Sequence, residues 1–276
     1  MIKKITIAFF CLPIVATVSA QKDSARLSIY RVKPAIELPA AAAGVALSTI
    51  GFRQLEKKGS LSQSDVLKLD PSTINAFDRP TAFLNPAGFE KADKRSDLFL
   101  NIALFSPLLL GLDKEIRKDW VDLLSLYLMT HAADNAIYFA AGFSVSRPRP
   151  LAYNQQVPMA EKTGAGTSNS FFSGHTSFSS AATFFMAKVY TDYHHIRGWN
   201  RVLAYTIASV PPALVGYHRI RAGKHFKTDV IVGFLVGAAS GITVPELHRN
   251  KKKKHALTMI PYYTEGMAGV SATVKL

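Results

Sequence analysis

Residues 216–229 read GYHRIRAGKHFKTD and place Arg219, His225 and Asp229 on one short stretch. An i, i+4 pair shares one face of a helix, so the spacing sets Asp229 beside His225. A carboxylate on one ring nitrogen fixes the imidazole tautomer and leaves the other nitrogen free as base or nucleophile. Arg219 offers a planar five-donor fork suited to a phosphate or another oxyanion. Together these groups point to attack on a phosphate. A basic surface loop ahead of a helix would use the same residue types, so the rest of the chain has to decide.

Two upstream stretches supply what this one lacks. Residues 146–150 are SRPRP, with Arg147 and Arg149 set between prolines that leave the backbone little freedom. Such arginines make preorganised anion contacts. Residues 172–177 are FSGHTS and lead into an apolar segment rich in small residues. Ser173 and Gly174 put a hydroxyl and bare backbone N–H groups at a helix start, where unpaired donors and the helix dipole favour anions. His175 in that setting can hand a proton to a leaving oxygen.

Apolar segments at 38–52, 98–112, 119–142, 176–190, 201–215 and 229–244 predict an all-α chain, a helical bundle of about six core helices. Pro107 marks a kink in the second, and Pro211-Pro212 bend or end the fifth. The polar Asp122, His131, Asp134 and Asn135 inside the third read as packed, hydrogen-bonded groups. Residues 143–175 form a long loop of the kind that usually carries function. Helix alternation returns all three motif stretches to one end of the bundle. After the basic run at 249–254, the tail alternates like a short β-hairpin. The expected organisation is a signal peptide at 1–20, an arm, small-residue helix and linker at 21–96, the helical core at 97–248, and the basic run and tail at 249–276.

Composition narrows the partners. The chain has 276 residues, a net charge of +14 and 48% hydrophobic residues. That charge suits phosphate compounds or anionic lipid, and no zinc-finger or RNA-binding signature supports nucleic acid. Residues 1–20, MIKKITIAFFCLPIVATVSA, combine a charged start, an apolar core and small residues before Gln21, which predicts export. The one cysteine, Cys11, lies inside that segment, so the mature chain would hold no thiol ligand or thiolate nucleophile. No HExxH-like or paired-carboxylate cluster suggests a metal.

With all three motif stretches assembled, the chain resembles the type 2 phosphatidic acid phosphatase/vanadium haloperoxidase superfamily. That family's pattern is Lys, six residues, Arg-Pro; then Pro-Ser-Gly-His; then Ser-Arg, five residues, His, three residues, Asp. Here Arg149-Pro150, Ser173-Gly174-His175 and Arg219, His225, Asp229 match it across residues 98–245. The resemblance implies a metal-free phosphohydrolase without a cofactor, whose phosphate site also accepts vanadate. It implies that His225 attacks phosphorus and becomes phosphohistidine, that Asp229 orients it, and that His175 protonates the leaving oxygen. Arg149, Arg219, Ser173 and the Gly174 N–H would hold the phosphate oxygens. Three positions depart from the pattern: Gly142 stands at the lysine, Phe172 at the proline, and His218 at the serine before Arg219. Arg147, Lys162, Lys224 and Lys227 are candidates to replace the lysine, and His218 retains hydrogen-bonding capacity.

The expected function is hydrolysis of a phosphomonoester or diphosphate, of a lipid first of all. Alternatives are a soluble acid phosphatase of broad specificity, a vanadium-dependent haloperoxidase and a non-catalytic anion-binding envelope protein. The expected partners are a phosphorylated lipid or small phosphate ester and a membrane, with the site facing outward in the cell envelope.

Overall fold

A computed structural model describes residues 28–250, together with the backbone of Leu257–Thr264 and Met267–Val274. The expected signal peptide and most of the basic run lie outside the described residues. The helices are α1 (Pro34–Lys58), α2 (Gln63–Leu67), α3 (Phe89–Phe105), α4 (Trp120–Ser144), α5 (Pro150–Tyr153), α6 (Met159–Lys162), α7 (Gly174–Tyr193), α8 (Gly198–Ala208), α9 (Val210–Arg221) and α10 (Lys227–Leu247). Strands β1 (Leu257–Thr264) and β2 (Met267–Val274) pair antiparallel.

The six apolar segments become seven long helices, because the segment expected at 201–215 is two. Its chain breaks at Ser209, and Pro211-Pro212 fall in the first turn of α9. A first turn tolerates proline because its N–H groups have no intrahelical acceptor there. Pro107 acts as expected on the second segment: α3 ends at Phe105, and a 3₁₀ turn carries Ser106–Leu112. The boundary expected near residue 97 falls inside α3, which packs on α9 and α7, while α1 packs on α4. The N-terminal region is therefore part of the bundle.

The centre of the bundle is the α7–α10 pair, and glycine makes it tight. Gly233, Gly237 and Gly241 recur every fourth residue along one face of α10. A Cβ at Gly237 would stand 2.0 Å from the Ser177 carbonyl oxygen, and one at Gly233 would stand 2.5 Å from that of Ser173. Only bare backbone fits so close an approach. This contact fixes the start of α7 against the first turns of α10, and both helices begin at motif stretches.

The polar groups of α4 are mostly partnered, as expected. Asp134 accepts from Ser177 Oγ at 2.7 Å and Ser240 Oγ at 3.4 Å, and Asn135 donates to Ser48 at 2.8 Å. His131 differs: its Nε2 is buried without a partner, and its ring stands edge-on to Tyr127. At the far end of the bundle, buried Lys188 pairs with Asp192 and, at 2.8 Å, with Glu246. Tyr30 donates to Asp192 at 2.9 Å, which ties the N-terminal arm to that end.

Three segments, Pro34–Lys58, Pro86–Leu112 and Lys227–Leu247, are long and apolar enough to cross a membrane. Their outward faces expose large apolar side chains such as Leu47, Leu108, Leu112 and Leu235. The sequence underrates α1, because its apolar stretch of 38–52 continues into a helix of 25 residues.

Candidate active site

The three motif stretches meet at one end of the bundle. His225 is buried, and the charges of Arg219, Arg149 and His175 all act on its ring. Burial first, then the two arginines, hold its pKa well below the ordinary histidine value. Its Nδ1 lies 2.7 Å from the Ser170 carbonyl oxygen. A carbonyl only accepts, so Nδ1 carries the proton and Nε2 keeps its lone pair.

The pairing of His225 with Asp229 is therefore corrected. His225 does not lie on α10: the helix starts at Lys227, and Phe226 before it is extended, with φ −75° and ψ 165°. The i, i+4 rule does not reach across that break. Asp229 instead accepts from the Phe226 N–H at 2.8 Å and from Ser170 Oγ at 2.6 Å, and pairs with Arg147. It acts on His225 through Ser170, by fixing the residue whose carbonyl holds the ring.

Arg149 and Arg219 both have a buried Nε without a hydrogen-bond partner. Burial, aided by the charge of Arg219, pushes Arg149 down to about 10. Two guanidinium groups gathered in a buried place, with donors unpaired, form a cradle for an anion. Arg219 also donates to Asp93 at 2.5 Å. The Arg149 side is closed by Gly166, at φ +75°, where a Cβ would stand 3.6 Å from Arg149 Nη2.

His175 sits half-buried in the first turn of α7, its Nε2 3.2 Å from Asp97 Oδ1. Burial and then Arg219 push its pKa down to about 4, while Asp97 pulls the other way. Ser173 is fully buried and its Oγ shares a 2.9 Å hydrogen bond with Thr176 Oγ1, so the hydroxyl is engaged inside the protein. Gly174 is required by Tyr138, whose ring atom Cε2 would meet a Cβ at 2.9 Å. Phe172, at the family's proline, packs edge-on to the same Tyr138 ring.

The auxiliary candidates separate. Arg147 is engaged by Asp78 at 2.8 Å, by Asp229 and by Thr228 Oγ1 at 2.9 Å, and lies over the Phe226 ring. It braces the loop. His218 stacks on Phe99 of α3. Lys162 is buried at the end of α6, and burial alone lowers its pKa. Lys224 stands beside Asp93 and feels the charges of Arg149 and Arg219.

Sequence reasoning missed Asp93, Asp97 and Asp78. The first two sit four residues apart on α3, ahead of the apolar run, in a stretch that reads as linker. Asp78 is fully buried between Thr228 and Arg147, so residues 71–83 are pinned to the site loop. The signal for Asp93 and Asp97 was an i, i+4 acidic pair set among Lys91, Lys94 and Arg95 in the first half of α3. Among the described residues, no group of three or more His, Cys, Asp or Glu side chains is placed to hold a metal ion.

Comparison with known proteins follows the same residues. The family model described as PAP2 superfamily matches residues 123–253. No curated protein matches the chain. Among solved structures, the chain is similar to the one titled "Crystal structure of Aquifex aeolicus LpxE". The identity is 23%, the match covers 56% of this chain and 85% of that chain, and the TM-score is 0.39.

Proposed function

Since the chain belongs to the PAP2 superfamily, with residues 123–253 matching its model, we propose that it is a membrane-associated phosphatase acting on a phosphorylated lipid through a phosphohistidine at His225. The observation that carries this reading is the buried His225 ring, its Nδ1 held by the Ser170 carbonyl, its Nε2 left with the lone pair, and the charges of Arg219, Arg149 and His175 acting on it. The neutral Nε2 forms the N–P bond as the P–O bond to the leaving alcohol breaks. His175 gives that oxygen its proton. A water then attacks the phosphohistidine, His175 takes the water's proton, and inorganic phosphate leaves. Arg149 and Arg219 match the charge on the equatorial phosphate oxygens throughout.

Three segments suited to a bilayer favour a lipid over a small soluble ester, because they would carry the site at the depth of a headgroup. A substrate panel tests this directly. The full chain in detergent micelles should release phosphate from phosphatidic acid, an isoprenyl diphosphate or a phosphorylated glycolipid, and His225→Ala should not. Equal or better turnover of small aryl phosphates without detergent would select the soluble acid phosphatase instead.

A further inference from the structure

The family pattern places a lysine where this chain has Gly142, and Leu55 fills the space beside it: a Cβ would stand 2.9 Å from Leu55 Cδ2. The site must find its third cation elsewhere or do without it. Arg147 is engaged by Asp78 and Asp229. Lys227 lies over the Phe77 ring, 4.8 Å from its centroid. Lys162 is buried with no charged group among the causes acting on it.

Lys224 is placed differently. It directly precedes His225, and its Nζ lies 3.7 Å from Asp93 Oδ2. The other oxygen of the same carboxylate lies 2.5 Å from Arg219 Nη1. Asp93 thus bridges Lys224 and Arg219. The turn that presents Lys224 is fixed, because Gly223 has φ +65° and a Cβ there would stand 2.6 Å from the Phe89 ring at the start of α3. Arg149 and Arg219 are close enough for their charges to oppose that of Lys224. Such repulsion is sustained when an anion, or a carboxylate in its place, sits among the cations.

We propose that Lys224 is the phosphate-holding cation that Gly142 cannot supply, and that Asp93 is a positioning residue that holds it beside Arg219. The inference rests on the phosphatase reading. Arg149, Arg219 and Lys224 bring three positive charges to a phosphomonoester dianion, with Asp93 between the last two. Without Lys224 the cradle loses one of them, and the carboxylate of Asp93 faces the incoming phosphate with less to balance it.

The experiment compares the full chain in detergent micelles with Lys224→Met, Lys224→Arg, Asp93→Asn and the Lys224→Met/Asp93→Asn pair. Lys94→Ala, an exposed lysine on α3 paired with Glu90, controls for net charge. The readouts are kcat/KM on phosphatidic acid and binding of orthovanadate by calorimetry. Lys224→Met should lower kcat/KM about 10²–10³-fold, the usual loss for one positioned donor, and weaken orthovanadate at least about tenfold. Lys224→Arg should recover most of both, because the charge is kept. Adding Asp93→Asn to Lys224→Met should restore part of the loss, a coupling that two independent sites would not show. Wild-type kcat/KM and orthovanadate affinity in Lys224→Met would overturn the proposal, as would an equal loss in Lys94→Ala. If the wild-type chain releases no phosphate from any ester, the phosphatase reading fails, and the orthovanadate comparison still decides the role of Lys224.

Discussion

The Ser170 carbonyl oxygen accepts from His225 Nδ1 at 2.7 Å, while the Ser170 hydroxyl donates to Asp229 at 2.6 Å. One residue thus joins the imidazole to the carboxylate, using backbone on one side and side chain on the other. Asp229→Asn should lower kcat at least about 10²-fold and also lower the thermal midpoint, because a buried acceptor of several bonds is lost at about 1–3 kcal/mol. Ser170→Ala keeps the carbonyl and should cost about tenfold or less in kcat. Side-by-side kcat and unfolding measurements decide it; a Ser170→Ala kcat equal to wild type beside a deep Asp229→Asn defect would contradict the link through Ser170.

His225→Ala should bring phosphate release to background, because no other imidazole shares its setting. His175 has its Nε2 at Asp97, where His225 has its Nδ1 on a backbone carbonyl. Rapid quenching of wild-type protein with labelled substrate should recover an acid-labile, base-stable phosphoryl group on the chain. Substantial turnover in His225→Ala would falsify the nucleophile assignment.

The pH profile follows from the two histidines. His225 must be neutral to attack, so its limb falls as pH drops through a value well below the ordinary 6.5. His175 must be protonated to serve the leaving group, so its limb falls as pH rises through about 4 in the empty enzyme. kcat/KM reports the free enzyme and should be greatest on the acid side, declining toward neutrality. In kcat the declining limb should move to higher pH, because a bound dianion favours the protonated ring. His175→Asn should remove that limb and slow the reaction about 10²–10⁴-fold. A kcat/KM that stays flat from about pH 5 to pH 8 would contradict the assignment.

Stability should fail at the other end of the bundle without touching the chemistry. Lys188→Met takes from Asp192 its buried cation while Arg201 and Arg249 remain beside it, and should cost about 1–3 kcal/mol. Tyr30, Arg201 and Arg249 also contact Asp192, so the network loosens as a unit. Thermal unfolding in detergent should show a clear drop, with kcat/KM on the surviving protein close to wild type.

Much of this site was legible because the motif residues are close in sequence to turns that must sit at helix ends. Arg149, His175, Arg219 and His225 could be placed together by counting helices. The pairing of Asp229 was misread because periodicity assumes a continuous helix, and the extended Phe226 breaks it. Asp93 and Asp97 were missed because α3 begins in a charged stretch with no apolar stripe, and only packing on α9 makes it a wall of the site. The choice of Lys224 over Arg147 was invisible for a related reason: both are basic residues near the motifs, and only the burial of Asp78 shows which is already bound.

The glycine ladder of α10 bears on how the proposed lipid substrate would reach the site. Ser173 and Phe226, which stand close to His175 and His225 in the chain, cap helices whose main chains touch, so the proposed nucleophile and proton donor share one stiff frame. A substrate cannot part that frame without breaking carbonyl-to-glycine contacts along its length. Any passage for the proposed substrate therefore lies outside the α7–α10 pair.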